Sequence, residues 1–143
     1  MKSIWEDNIN LEMLNTLNKG SMGEHLGIEF TAIGENYLEA TMPVNKGTKQ
    51  PFGLLHGGAS VALAETIGSV ATWCCIKRDL FIGVGMEINA SHLQSATSGI
   101  VTARCLPIKS EGKVKVWDIS IRDQKNTLLC SCRFTCMVVP KRP

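Results

Sequence analysis

The chain has 143 residues, is 44% hydrophobic and 20% charged, and carries a formal net charge of +2. That length suits a single domain, residues 1–143, with its own core. The near-neutral balance argues against an extended nucleic-acid surface, and residues 1–10 hold no apolar run of the kind a secretory leader needs.

In chain order, Asn10 is a candidate N-cap, and Leu11, Leu14 and Leu17 recur at helical spacing until Gly20 and Gly23 end the pattern. From His25 the period shortens to two. Leu26, Ile28 and Phe30 alternate, Gly34-Glu35-Asn36 turns the chain, and residues 37–42 pair back until Pro43 stops the strand. A polar loop over 45–52 leads to His56.

Residues 59–76 then read as one long helix with no clean polar face, and a helix apolar all round is buried. Its length approaches that of a membrane span. However, Ser60, Glu65, Thr66, Ser69 and Thr72 interrupt it and no second span follows, so a central helix of a soluble domain is the better reading.

Four strand segments follow, at 81–93, 99–108, 114–122 and 127–139. The third sets Trp117, Ile119 and Ile121 on one face, and Asp123-Gln124-Lys125-Asn126 turns the chain into the fourth. Connections this short imply antiparallel pairing. The sum is an α+β fold, an antiparallel sheet curled round one helix. No repeat or linker breaks the chain.

The six cysteines are Cys74, Cys75, Cys105, Cys130, Cys132 and Cys136. No Cys-x-x-Cys pair exists and His25, His56 and His92 are scattered, which argues against a zinc site. Cys130, Cys132 and Cys136 alternate with Phe134 and Val138 on one strand face, as small core hydrophobes do. Unpaired thiols and the lack of a leader point to a reducing, cytoplasmic setting.

Glu65 stands out in the long helix. Three and four residues away lie Val61, Ala62, Gly68 and Ser69, none of them basic. A buried carboxylate without a partner costs several kcal/mol or takes up a proton. It is therefore either paired with a distant arginine or amide, or it is an active-site acid or base. Ser69 shares its face and could orient it or a water.

At the helix start, Gly57-Gly58 leaves backbone amides that favour an anion or a polarised carbonyl oxygen, with His56 and Gln50 just before them. These donors precede Glu65 by about 11 Å of helical rise, too far for one reacting atom. A Glu65 supplied by a second subunit closes that gap, so a site shared across a dimer interface is expected.

The run Gln50-Pro51-Phe52-Gly53-Leu54-Leu55-His56-Gly57-Gly58, followed by Ala64-Glu65-Thr66-Ile67-Gly68-Ser69 and Gly85-Met86-Glu87-Ile88-Asn89-Ala90-Ser91-His92, resembles the PaaI-like hotdog-fold acyl-CoA thioesterases. That group includes the 1,4-dihydroxy-2-naphthoyl-CoA thioesterases and the enterobactin proofreading thioesterases. The likeness covers residues 11–139.

The resemblance implies a hotdog fold and hydrolysis of acyl-CoA, with an aromatic acyl group favoured. It gives the thioester carbonyl to the Gly57 amide, helped by His56 and Gln50. Glu65 of the partner subunit becomes the nucleophile or the base that activates water, and Ser69 assists. CoA is expected along Gly85, along His92, Leu93, Gln94 and Ser95, and along Lys109, Ser110, Glu111, Gly112, Lys113 and Val114. Lys109 and Lys113 would meet phosphates or be plainly solvated. Gln94 stands where relatives have a basic residue, which weakens one phosphate contact.

His92 faces the ligand or is a hydrogen-bonded structural histidine. Trp5 and Trp73 line an acyl pocket or, the stronger reading, pack the core. No cofactor is implied beyond the CoA of the substrate, no nucleic acid or membrane partner, and two dimers pairing into a tetramer. Two alternatives stay open: a dehydratase or hydratase using His56, and a non-catalytic acyl-CoA-binding module.

Overall fold

A computed structural model describes residues 3–142. Helix α1, Leu11–Leu17, starts as expected, with the Asn10 side chain accepting from the Met13 amide. Asn15 ties it to the sheet by donating to the Phe30 carbonyl and accepting from the Phe30 amide. The stretch after it holds a one-turn helix, α2 (Met22–His25), capped by Ser21. Four residues are too few for periodicity to reveal. Leu26 ends α2 and Gly27 takes φ +74°, so strand β1 runs Glu29–Ile33 and starts later than the apolar alternation suggested.

Strand β2 (Leu38–Pro43), helix α3 (Gly57–Cys74) and strands β3 (Phe81–His92), β4 (Ile100–Lys109), β5 (Val114–Arg122) and β6 (Leu128–Pro140) complete the chain. All pairings are antiparallel, in the order β1-β2-β4-β5-β6-β3. This is the hotdog arrangement, one sheet wrapped about one helix. The β4-β5-β6 meander follows from short turns. The placing of β3 does not: it leaves its chain neighbour β4 and lies on the far edge against β6, from Phe81 opposite Pro140 to His92 opposite Cys130.

Helix α3 is buried on one face only. Leu63, Ala64, Ile67, Ala71 and Cys74 enter the core with Trp117, Ile119, Ile121 and Phe134. Thr72 accepts a 2.9 Å hydrogen bond from the Trp117 indole. Glycines set the approach distance. A methyl at Gly68 would fall 2.5 Å from Phe134 Cδ1, and one at Gly83 would fall 2.8 Å from Thr72 Cγ2.

The other face carries Glu65, which is exposed. The expectation of a helix buried all round, and of a buried carboxylate, is therefore corrected: the sheet covers one side of α3 and ends at β3. Among the described residues no helix is long and apolar enough to cross a membrane. Trp5 stacks on Trp117 with ring centroids 6.5 Å apart and donates to the Gly34 carbonyl, while Trp73 lies under the Arg78 guanidinium. Both are packing residues.

All six cysteines are free, and Cys130, Cys132 and Cys136 face inward from β6 as their alternation predicted. Burial pushes the Cys74 and Cys75 thiols from 9.0 to about 12. A thiol whose value is raised by folding holds its proton more tightly in the fold. Its contribution to stability is complete below the unfolded value and is lost as pH climbs through the folded one. The urea midpoint is thus expected to fall between about pH 9 and pH 12, and Cys75→Ser should flatten that decline.

A second expectation concerns Gly68→Ala. Helix propensity favours alanine, but the methyl must displace a fully buried ring. Equilibrium urea unfolding should show a net loss of about 1–3 kcal/mol.

Candidate active site

The turn before α3 is built by its own side chains. Gln50 Oε1 accepts from the Phe52 and Leu54 amides, which holds the loop and leaves the Gln50 NH₂ to donate elsewhere. The Leu55 amide reaches Ala96 and the His56 amide reaches Thr48, so the loop is pinned on both sides. His56 is the N-cap, and its Nδ1 accepts from the Gly58 amide at 2.8 Å.

The expectation of two open glycine amides is therefore corrected. The Gly58 donor is spent within the turn, while Gly57 makes no hydrogen bond through its amide among the described residues. With Nδ1 engaged as an acceptor, the remaining His56 nitrogen carries the proton.

A cleft of about 270 Å³ opens at this end of α3, lined by Gln50, Leu54, Leu55, Gly57, Ser60, His92, Gln94, Ser95 and Leu129. The structure thus gathers five of the predicted residues, Gln50, Gly57, His92, Gln94 and Ser95. Exposed His56 lies just outside the lining. Leu93 is exposed and does not line the cleft. Glycine at 57 has a steric reason: a methyl there would fall 2.9 Å from His92 Nε2. Sequence reasoning missed Ser60 and Leu129. Ser60 lies one turn beyond Gly57, the only signal it offered.

Glu65 and Ser69 lie one turn apart on the open side of α3, away from that cleft. Among the described residues Glu65 has no ion pair and no hydrogen bond, so a distant arginine does not claim it. Gly85 lies beside it: a methyl there would sit 2.9 Å from Glu65 Oε1. Gly85 therefore clears space for the carboxylate.

Lys109, Ser110, Glu111, Gly112, Lys113 and Val114 form the β4–β5 turn, at the opposite end of the sheet. Val138 there donates to the Lys113 carbonyl, whereas the first cleft lies by Leu129. Nine residues of strand separate these points, about 30 Å. One chain does not bring the two sets together.

Beside this turn is a larger cavity of about 850 Å³. Ile76, Phe81, Met137, Val138, Val139 and Pro140 give it apolar walls, and Glu6, Cys75, Lys77, Gly112, Lys113 and Lys115 add polar groups. Lys115 is only 4% exposed, and its Nζ donates to the Ser110 carbonyl. The sequence carried the signal: the alternation that sends Trp117, Ile119 and Ile121 inward sends Lys115 inward too.

Comparison with known proteins agrees with this architecture. Residues 52–130 match the Thioesterase superfamily, to which the chain belongs. It is a thioester hydrolase of that group. It is 50% identical to the 1,4-dihydroxy-2-naphthoyl-CoA hydrolase of Escherichia coli, over 95% of this chain and 99% of that protein. It is 46% identical to the proofreading thioesterase EntH of Cronobacter turicensis, over 95% and 98%.

Among solved structures, a mutant thioesterase from Pseudomonas aeruginosa superimposes with a TM-score of 0.95 at 44% identity, covering 97% of this chain and 100% of that one. A thioesterase from Haemophilus influenzae gives 0.92 at 50%, covering 96% and 95%.

The seat of His92 over Gly57 yields an expectation. Gly57→Ala should push the ring from the amide and lower thioester turnover at least tenfold, while circular dichroism and Tm stay near wild type.

Proposed function

We propose that the chain hydrolyses acyl-CoA thioesters, aromatic ones such as 1,4-dihydroxy-2-naphthoyl-CoA foremost, at a site shared by two copies. The carrying observation is the split of the machinery. An exposed Glu65, with no ion pair among the described residues, lies beside the edge strand β3, while the donor cleft lies at the end of the same strand.

Strand β3 is twelve residues long, and exposes Ile82, Val84 and Met86. A long apolar edge of this kind is a template for another strand. Antiparallel pairing with a second copy about its middle sets the Phe81 end of one chain against the His92 end of the other. The 850 Å³ cavity and the Lys109–Val114 turn then adjoin the partner's cleft, and Glu65 approaches the partner's helix start.

In this reading the thioester carbonyl lies at the Gly57 amide with the Gln50 NH₂ beside it, and the helix N-terminus stabilises the oxyanion. Glu65 from the other copy attacks the carbonyl or deprotonates a water, and Ser69 orients that water. Apolar walls and the ammonium groups of Lys109 and Lys113 suit a CoA arm that ends in phosphates. No cofactor beyond CoA takes part, two such dimers pair into a tetramer, and the free thiols suit the cytoplasm. The hydratase alternative loses ground, because the His56 ring is committed to capping α3 and lies outside the cleft.

The test is complementation. Glu65→Gln alone should lower turnover by roughly 10²-fold with substrate still bound. Gln50→Ala should also be impaired. Refolded together in equal amounts, the two variants should recover about a quarter of wild-type activity, because half the dimers hold one intact site of two. A Glu65→Gln enzyme with wild-type kcat, or mixtures no better than their parts, would sink the reading.

A further inference from the structure

The cleft histidine is held from behind by sulfur. His92 ends β3 directly opposite Cys130 on β6, and its Nδ1 lies 3.6 Å from Cys130 Sγ. Cys130 Sγ in turn lies 3.5 Å from Cys132 Sγ, two residues along the same inward face. Both thiols are buried, at 1% and 2% exposure, whereas His92 is exposed to the cleft with Nε2 over Gly57. The three groups form a line from the core to the helix start.

We propose that Cys132 and Cys130 are positioning residues that fix His92 with its proton on Nε2, so that this nitrogen donates a hydrogen bond to the thioester beside the Gly57 amide. The inference rests on the thioesterase reading of the cleft. Packing alone needs no sulfur at position 130, since valine would fill an inward strand site as well. Hydrocarbon there would leave Nδ1 without a partner and the ring free to turn over.

The direction of the chain follows from donor and acceptor supply. Either sulfur of the Cys130–Cys132 contact can donate, and we assign the S–H of Cys132 to it because the described residues give that thiol no other hydrogen-bond partner. The Cys130 proton then goes to Nδ1, an imidazole nitrogen being the better acceptor, and the ring's own proton is left on Nε2. The ring thereby adds a second donor at the site where oxyanion charge develops.

The experiment reads tautomer and rate separately. Nitrogen-15 NMR of the whole protein, with the other rings assigned from His25→Gln and His56→Gln, should show His92 protonated on Nε2 and bare on Nδ1. Cys130→Ser, which keeps a donor, should retain that signature and kcat within about threefold. Cys130→Ala should mix the tautomers and lower kcat about tenfold with KM within about twofold, at unchanged circular dichroism.

A wild-type His92 protonated on Nδ1 and bare on Nε2 overturns the proposal. So does equal loss in Cys130→Ser and Cys130→Ala, which would make the thiol a packing residue. Because the NMR signature needs no turnover, it stands or falls apart from the Glu65 assignment.

Discussion

The close seat of α3 on the β3–β6 pair is the constraint from which the rest follows. Gly68 lets the helix settle on Phe134, Gly83 admits Thr72, and Gly85 leaves room for Glu65. Side chains at those three positions would hold the helix off the sheet. With it seated, the carboxylate rides over an edge strand and the Gly57 amide opens beside the last residue of that strand. Burial of Leu63, Ile67 and Ala71 supplies the driving force. The glycines decide where that force brings the functional groups.

That geometry also explains an acid that looked misplaced. On the sequence, a carboxylate in mid-helix with no basic neighbour suggested burial and a large electrostatic cost. In the fold, Glu65 lies on the uncovered side and carries no such cost. Among the described residues no ion pair claims its oxygens. The cleft at the helix start and the β4–β5 turn lie at opposite ends of one sheet.

Much of this was legible in the residues. Strands β2 to β6 were found within about one residue because alternation reports which residues share a face, whereas β1 begins at Glu29, three residues after the alternation does, because Leu26 and Gly27 close a short helix first. The long helix and its glycine start were clear from composition. The order of strands was not, because β3 leaves its chain neighbour for β6, and that choice is fixed by packing at a distance. The state of the amides was hidden too: His56 is written beside two glycines, and only the turn geometry shows that it occupies one of them. Lys115 was overlooked although its strand phase announced it, since a cation was not expected on an inward face. The Cys130–His92 contact needs a register between strands 38 residues apart in the chain, which no local pattern encodes.

The buried ammonium of Lys115 carries a consequence for how this enzyme could diversify. It grips the main-chain carbonyl of Ser110, and every amino acid supplies a carbonyl. The path of the neighbouring turn is thus guaranteed from inside, independently of which side chains decorate it. Those decorations can be exchanged for new cargo without redrawing the loop, while loss of the lysine itself would release all of them at once.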